Sequence, residues 1–241
     1  MTTPPSPRFV FVVTYGRSGS TLTQGMLNTM PRTLVRGENG LYILPLFRSY
    51  AVFEEFRERF GKPHADKITS AFYGLRESDP DDYAASVRGL VQRQLLGSVP
   101  VADVDRLGFK EVLWHRIPER DWAAMFDFMD KAFEEPLYVL NQRDVAMAST
   151  SGFWRKKPDA ALKQITRVRK LHGFLQESRP ARTFLNTYEA MTSDDRDVAA
   201  DQLRRLAEFV TGACDDDLLD ALLTTRETGY GPNPFGVARD S

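Results

Sequence analysis

With one cysteine, Cys214, and three histidines, the chain has too few thiol and imidazole groups for an internal disulfide or a structural zinc site. That scarcity fits a reducing compartment, and a cytoplasmic location is expected. An excess of one charge is lacking too. The 32 Lys and Arg stand against 33 Asp and Glu, for a formal net charge of -1, so no global field marks nucleic acid or anionic lipid as a partner. Any anion site has to be local. Long apolar runs are also missing: Phe9 to Val13 and Leu41 to Phe47 are the most apolar stretches, far below the roughly 20 residues of a membrane-spanning helix. Met1 to Pro7 is a short polar, Pro-rich lead rather than a targeting segment. No membrane insertion is expected, and residues 1–7 are expected to be disordered.

What is present describes a folded domain. Of the 241 residues, 42% are hydrophobic and 27% charged, which excludes a disordered or collagen-like chain. At about 150 residues per domain, a single α/β domain over 1–241 is the expectation. Phe9 to Val13 is a continuous β-branched and aromatic run, as in a strand buried on both faces, and it runs into Gly16 and Gly19. A helix follows over Thr21 to Met30, with Leu22, Met26 and Met30 four apart and Pro31 ending it.

Further strands are expected at Thr33 to Arg36, Leu107 to Trp114, Leu137 to Asn141 and Arg182 to Asn186. Helical periodicity marks Asp121 to Phe133, Asp159 to Gln176 and Asp194 to Val210. Strand and helix therefore alternate, the signature of a parallel sheet of about five strands covered by helices on both sides. Residues 47–104 break that rhythm, with helical patches at Tyr50 to Phe60 and Tyr83 to Leu96. They read as a helical insertion above the sheet, either a cover for an acceptor site or simple packing.

Chemistry concentrates in Thr14-Tyr15-Gly16-Arg17-Ser18-Gly19-Ser20-Thr21, where a buried strand turns into a helix. Backbone N–H groups at a helix start, hydroxyls beside them and glycines that permit close approach form a cradle suited to phosphate. A Walker A loop is excluded, because no Lys precedes the hydroxyl. Arg17 is the only cation in the loop, and its planar fork can hold two phosphate or sulfate oxygens at once. Arg143 lies at the end of an apolar strand and before a short hydroxyl-bearing helix, a placement that suits a second phosphate on the same sheet edge, the alternative being that it caps a helix or pairs with Asp144. Glu38, in Arg36-Gly37-Glu38-Asn39-Gly40 after the second strand, falls at that edge too and is the first choice for a general base. Arg36 beside it is a candidate for acceptor binding or for pairing with a carboxylate.

Tyr15 to Thr21 resembles the 5′-phosphosulfate loop of sulfotransferases that use 3′-phosphoadenosine 5′-phosphosulfate (PAPS), in its Arg-containing bacterial and carbohydrate-type form. Asn141 to Ser151 is similar to that family's 3′-phosphate motif, an Arg at a strand end followed eight residues on by a Ser. Leu107 to Glu111 resembles its central strand, and Leu185 to Met191 its Tyr-Glu segment.

The resemblance implies a P-loop-like three-layer sandwich and PAPS as donor with 3′,5′-adenosine bisphosphate (PAP) as product. It implies no metal. Arg17, Ser18, Gly19, Ser20 and Thr21 would hold the 5′-phosphosulfate, Arg143 and Ser151 the 3′-phosphate, and Tyr188 would stack near adenine. It agrees with Glu38 as base and adds His115, after the third strand, as the second candidate. Arg226 and Gly229 loosely match a C-terminal loop over the 3′-phosphate, although a plain loop is the simpler expectation. Sulfuryl transfer to a hydroxyl or amine of a small molecule or sugar is thus the leading function. A P-loop kinase or NTPase, and a nucleotide-binding protein without catalysis, are the alternatives. No apolar strand ends in the Asp of a Walker B site, which argues against the kinase.

Overall fold

The computed structural model describes residues 6–228. Its strands are β1 (Arg8–Val13), β2 (Thr33–Arg36), β3 (Arg106–Glu111), β4 (Leu137–Gln142) and β5 (Thr183–Thr187). Its helices are α1 (Ser20–Thr29), α2 (Ile43–Phe60), α3 (Pro80–Leu96), α4 (Trp122–Phe133), α5 (Val145–Ser149), α6 (Pro158–Ser178), α7 (Tyr188–Met191), α8 (Arg196–Thr211) and α9 (Asp216–Thr228). The strands form one all-parallel sheet in the order β2-β3-β1-β4-β5. This is the parallel sheet covered on both sides that the alternation of strands and helices predicts, and the α/β, P-loop-like sandwich that the resemblance implies.

Strand alternation divides the core in two. Phe9, Phe11 and Val13 of β1 join Phe109, Tyr138 and Leu140 beneath α2, α3, α4 and α6. Val10 and Val12 join Val35, Leu137 and Val139 on the opposite face, under α1, α8 and α9. With both faces covered, no position in β1 has to be polar, which is why its sequence shows no period of two. β1 sits at the centre, between β3 and β4. The chain's path reverses about it, and the crevice beyond its carboxyl end is where open α/β sheets bind ligands.

Three differences from the sequence expectations shape the surroundings of the sheet's carboxyl edge and its helical layers. β3 stops at Glu111 instead of reaching Trp114, because the Glu111 carboxylate accepts from the N–H groups of Val112 (2.7 Å) and Leu113 (3.1 Å) and turns the chain into a 3-10 turn over Leu113–Arg116. Trp114 is then fully buried, and its indole donates to the Val12 carbonyl at 3.2 Å. α2 begins at Ile43, ahead of the expected start of the insertion, since Ile43, Leu44, Phe47 and Tyr50 form its buried stripe. α2 and α3 pack on each other and on α4, so they extend one helical layer.

The third difference is α9, where a plain loop was the expectation for Arg226 and Gly229. Asp215 caps this helix by accepting from the Leu218 N–H at 2.8 Å, and Leu219, Leu222 and Leu223 enter the second core. Arg226 sits in its last turn, whereas Gly229 lies outside the described residues. At the other end Pro7 is buried directly before β1. Among the described residues no helix is long and apolar enough to cross a membrane.

Candidate active site at the carboxyl edge of the sheet

The loop between β1 and α1 is held open by its backbone. Arg17 (φ 67°) and Gly19 (φ 79°) both occupy the left-handed region, the second at the N-cap of α1. Among the described residues no backbone N–H from Arg17 to Thr21 donates to another residue of the protein. These are the orphan donors of a helix start, and together with the helix dipole they attract an anion. A left-handed arginine costs about 1 kcal/mol, a strain that persists where surrounding contacts fix the loop.

Those contacts are a buried polar network. Asn141, at the end of β4 and fully buried, donates from Nδ2 to the Ser18 carbonyl (2.9 Å) and accepts at Oδ1 from Thr23 Oγ1 (2.6 Å) and Asn186 Nδ2 (2.8 Å). Gln202 of α8 donates in turn to Asn186 Oδ1 at 2.9 Å. The Thr14 and Ser18 hydroxyls lie 2.6 Å apart, and Thr14 donates to the Asn141 carbonyl. Tyr15 bridges to the second motif: its hydroxyl donates to the Arg143 carbonyl (2.7 Å) and accepts from the Arg143 N–H (2.9 Å). Burial raises the Tyr15 pKa above its ordinary value, so the phenol stays a donor.

A cavity of about 600 Å³ opens over this loop. Gly16, Arg17, Gly19, Ser20 and Thr21 line one side, with Glu38, Lys110, Arg143, Tyr188 and Arg226 among the other lining residues. Four of its side chains are cations (Arg17, Lys110, Arg143, Arg226) and two are carboxylates (Glu38, Glu227), so the cavity favours an anion.

Most of the expected site residues therefore meet, though not all in the expected way. Ser18 is fully buried with its hydroxyl turned to Thr14, which leaves only its backbone for a ligand. Ser151 accepts from Arg17 Nε at 3.1 Å, so the two expected phosphate ligands touch each other. Tyr188 seats Arg143, whose guanidinium lies 4.4 Å from the ring centroid, and packs its edge against Gly19. Arg226 lines the cavity while one of its terminal amino groups donates to the Ser193 carbonyl at 3.1 Å.

Glu38 faces the cavity and accepts from Lys110 Nζ at 2.6 Å. His115 does not line the cavity. It is half-buried with Nδ1 3.3 Å from the Val112 carbonyl oxygen, and burial lowers its pKa. Arg36 neither binds at the site nor pairs with a carboxylate; it donates to the Leu95 and Leu96 carbonyls at the end of α3. Lys110 is the functional candidate whose role the sequence leaves open, since alternation along β3 puts Lys110 and Glu111 on opposite faces and lets only one point toward the site; it is Lys110 that lines the cavity. Its signal was a pair of adjacent charges, Lys110 and Glu111, following the apolar run Leu107 to Phe109, and a charge buried there needs a partner.

No family model matches the chain, and no curated protein matches it in sequence. Among solved structures it is similar to the sulfotransferase domain of the olefin synthase from Synechococcus PCC 7002, with a TM-score of 0.50 and 19% identity over 98% of this chain and 86% of that one. At that identity the likeness is one of fold alone: this chain shares the overall architecture of that domain.

Proposed function

We propose that the chain is a sulfotransferase that takes PAPS as donor and modifies a hydroxyl or amine of a small-molecule or sugar acceptor. The observation that carries this reading is the meeting of two arginine-bearing segments and the Glu38 carboxylate around one cavity. The Arg17 loop and Arg143 are tied together by Tyr15 and Tyr188, and Glu38 stands on the same cavity. A nucleotide with anionic groups at both ends of its ribose requires two cationic seats on one edge, and this edge has them. Arg17 and Arg143 are too far apart in sequence for the pairing to be local, so the fold creates it.

The donor supplies a sulfuryl group in a phosphosulfate anhydride. The loop N–H groups and Arg17 hold the 5′-phosphate and stabilise the charge that gathers on it as the sulfur–oxygen bond breaks. Arg143 and Ser151 hold the 3′-phosphate. Glu38 accepts the acceptor's proton as the acceptor oxygen or nitrogen bonds to sulfur, and the electron pair of the broken bond leaves with the phosphate. Lys110 fixes the direction of the Glu38 carboxylate through a charge-assisted hydrogen bond.

Glu38→Ala tests the assignment of the base. Turnover is expected to fall by about 100-fold or more while PAP affinity stays within about 3-fold. Wild-type turnover in this variant would remove Glu38 from the mechanism and turn attention to His115.

A further inference from the structure

Next to Lys110, on the opposite face of β3, stands a second charged residue that the chemistry above does not use. Glu111 is fully buried, and its four hydrogen-bond partners are all main-chain N–H groups. Oε2 accepts from Asn39 (3.1 Å) and Leu41 (2.8 Å); Oε1 accepts from Val112 (2.7 Å) and Leu113 (3.1 Å). Gly40 (φ 74°) and Leu41 (φ 57°) are left-handed, so the turn that follows Glu38 is wrapped around this carboxylate. Burying a charge is costly unless every acceptor site is used, and here both oxygens accept twice.

We infer that Glu111 is a positioning residue for Glu38: it anchors the backbone of the turn on one side while Lys110 holds the Glu38 side chain on the other. Two adjacent residues of β3, pointing to opposite faces, thereby fix both the main chain and the carboxylate of the proposed base. This rests on the reading of Glu38 as the base. A glutamine at 111 cannot replace the carboxylate, because its amide has one acceptor atom and its NH2 group would face two N–H donors.

The test compares Glu38→Ala, Glu111→Gln and the double variant. Turnover is read as PAP released from PAPS, with water and a panel of phenols as acceptors. PAP affinity is read by calorimetry, and amide exchange is followed at Asn39 and Leu41. Glu111→Gln is expected to lower kcat about 10-fold or more, to speed exchange at both amides and to leave PAP affinity within about 3-fold. The double variant should be no slower than Glu38→Ala alone, since a residue that acts through Glu38 has nothing left to position. A purely structural role would instead multiply the two losses and weaken PAP binding, which would overturn the inference. Wild-type kcat in Glu111→Gln beside a slow Glu38→Ala would overturn it while leaving the base in place. A fully active Glu38→Ala would overturn the base assignment and the inference together. Should Glu111→Gln fail to fold, Glu111→Asp, which keeps two acceptor oxygens on a shorter stem, carries the same comparison.

Discussion

Gly19 is the residue on which the loop and the cavity above it depend together. Its φ of 79° strains any L side chain, and a Cβ there would lie 2.1 Å from Cδ2 of Tyr188. Gly19→Ala is expected to cost about 1–3 kcal/mol of stability and to displace the ring that seats Arg143. PAP affinity should fall at least about 10-fold, a change of about 1.4 kcal/mol or more in binding free energy, by calorimetry. Unchanged affinity would show that the ring position is irrelevant to binding. His172 acts on the same strand ends without touching the cavity. Fully buried, it donates from Nε2 to the Val13 carbonyl and accepts at Nδ1 from Gln142, and burial pushes its pKa down to about 3 from 6.5. The unfolded chain therefore binds this proton first, so stability is complete above about pH 6.5 and is lost as pH falls. Between about pH 7 and about pH 5 this group alone removes about 2 kcal/mol. Urea unfolding at the two pH values should show a correspondingly smaller decline in His172→Gln; an equal decline would contradict the burial argument.

At the scale of elements, the anion loop is held by strand ends and not by its own sequence. Asn141 connects β4 to the loop, to α1 through Thr23 and to β5 through Asn186. Asn141→Ala leaves the Ser18 carbonyl, the Thr23 hydroxyl and the Asn186 amide each short of a partner, at a cost of about 2–4 kcal/mol. Melting should drop by roughly 5–10 °C, and PAP affinity should fall with it. Arg36→Ala removes the cap on the last turn of α3, at about 1 kcal/mol, with PAP affinity unchanged. If both variants behave alike in binding, the network has no special connection to the loop. None of these long-range pairings was legible in the sequence. The loop itself was, because Gly16, Gly19 and the hydroxyls sit together in the chain. Arg143, Tyr188 and Glu38 were legible as strand-end residues. Lys110 and Glu111 were not resolved, since alternation says only that they face opposite ways, and which one meets Glu38 depends on the parallel register of β2 and β3.

Across the whole molecule, the strands and most helices follow from local pattern because the inner strands β3, β1 and β4 are buried on both faces and most helices turn one apolar face to the sheet, whereas the edge strand β5 is only partly covered. The sequence signal fails where a side chain ends an element, as Glu111 does for β3, or starts one, as Asp215 does for α9. What the assembled molecule adds is a cavity at the carboxyl end of the central strand that, among the described residues, is lined by four cations and two carboxylates. In the proposed function this cavity takes a nucleotide with anionic groups at both the 3′ and 5′ positions. Calorimetric titration with PAP, set beside ATP with Mg²⁺, tests it most directly. Tight binding of PAP and weak binding of ATP are expected; stronger binding of ATP with Mg²⁺ would overturn the proposed function and make Arg17 part of a kinase site.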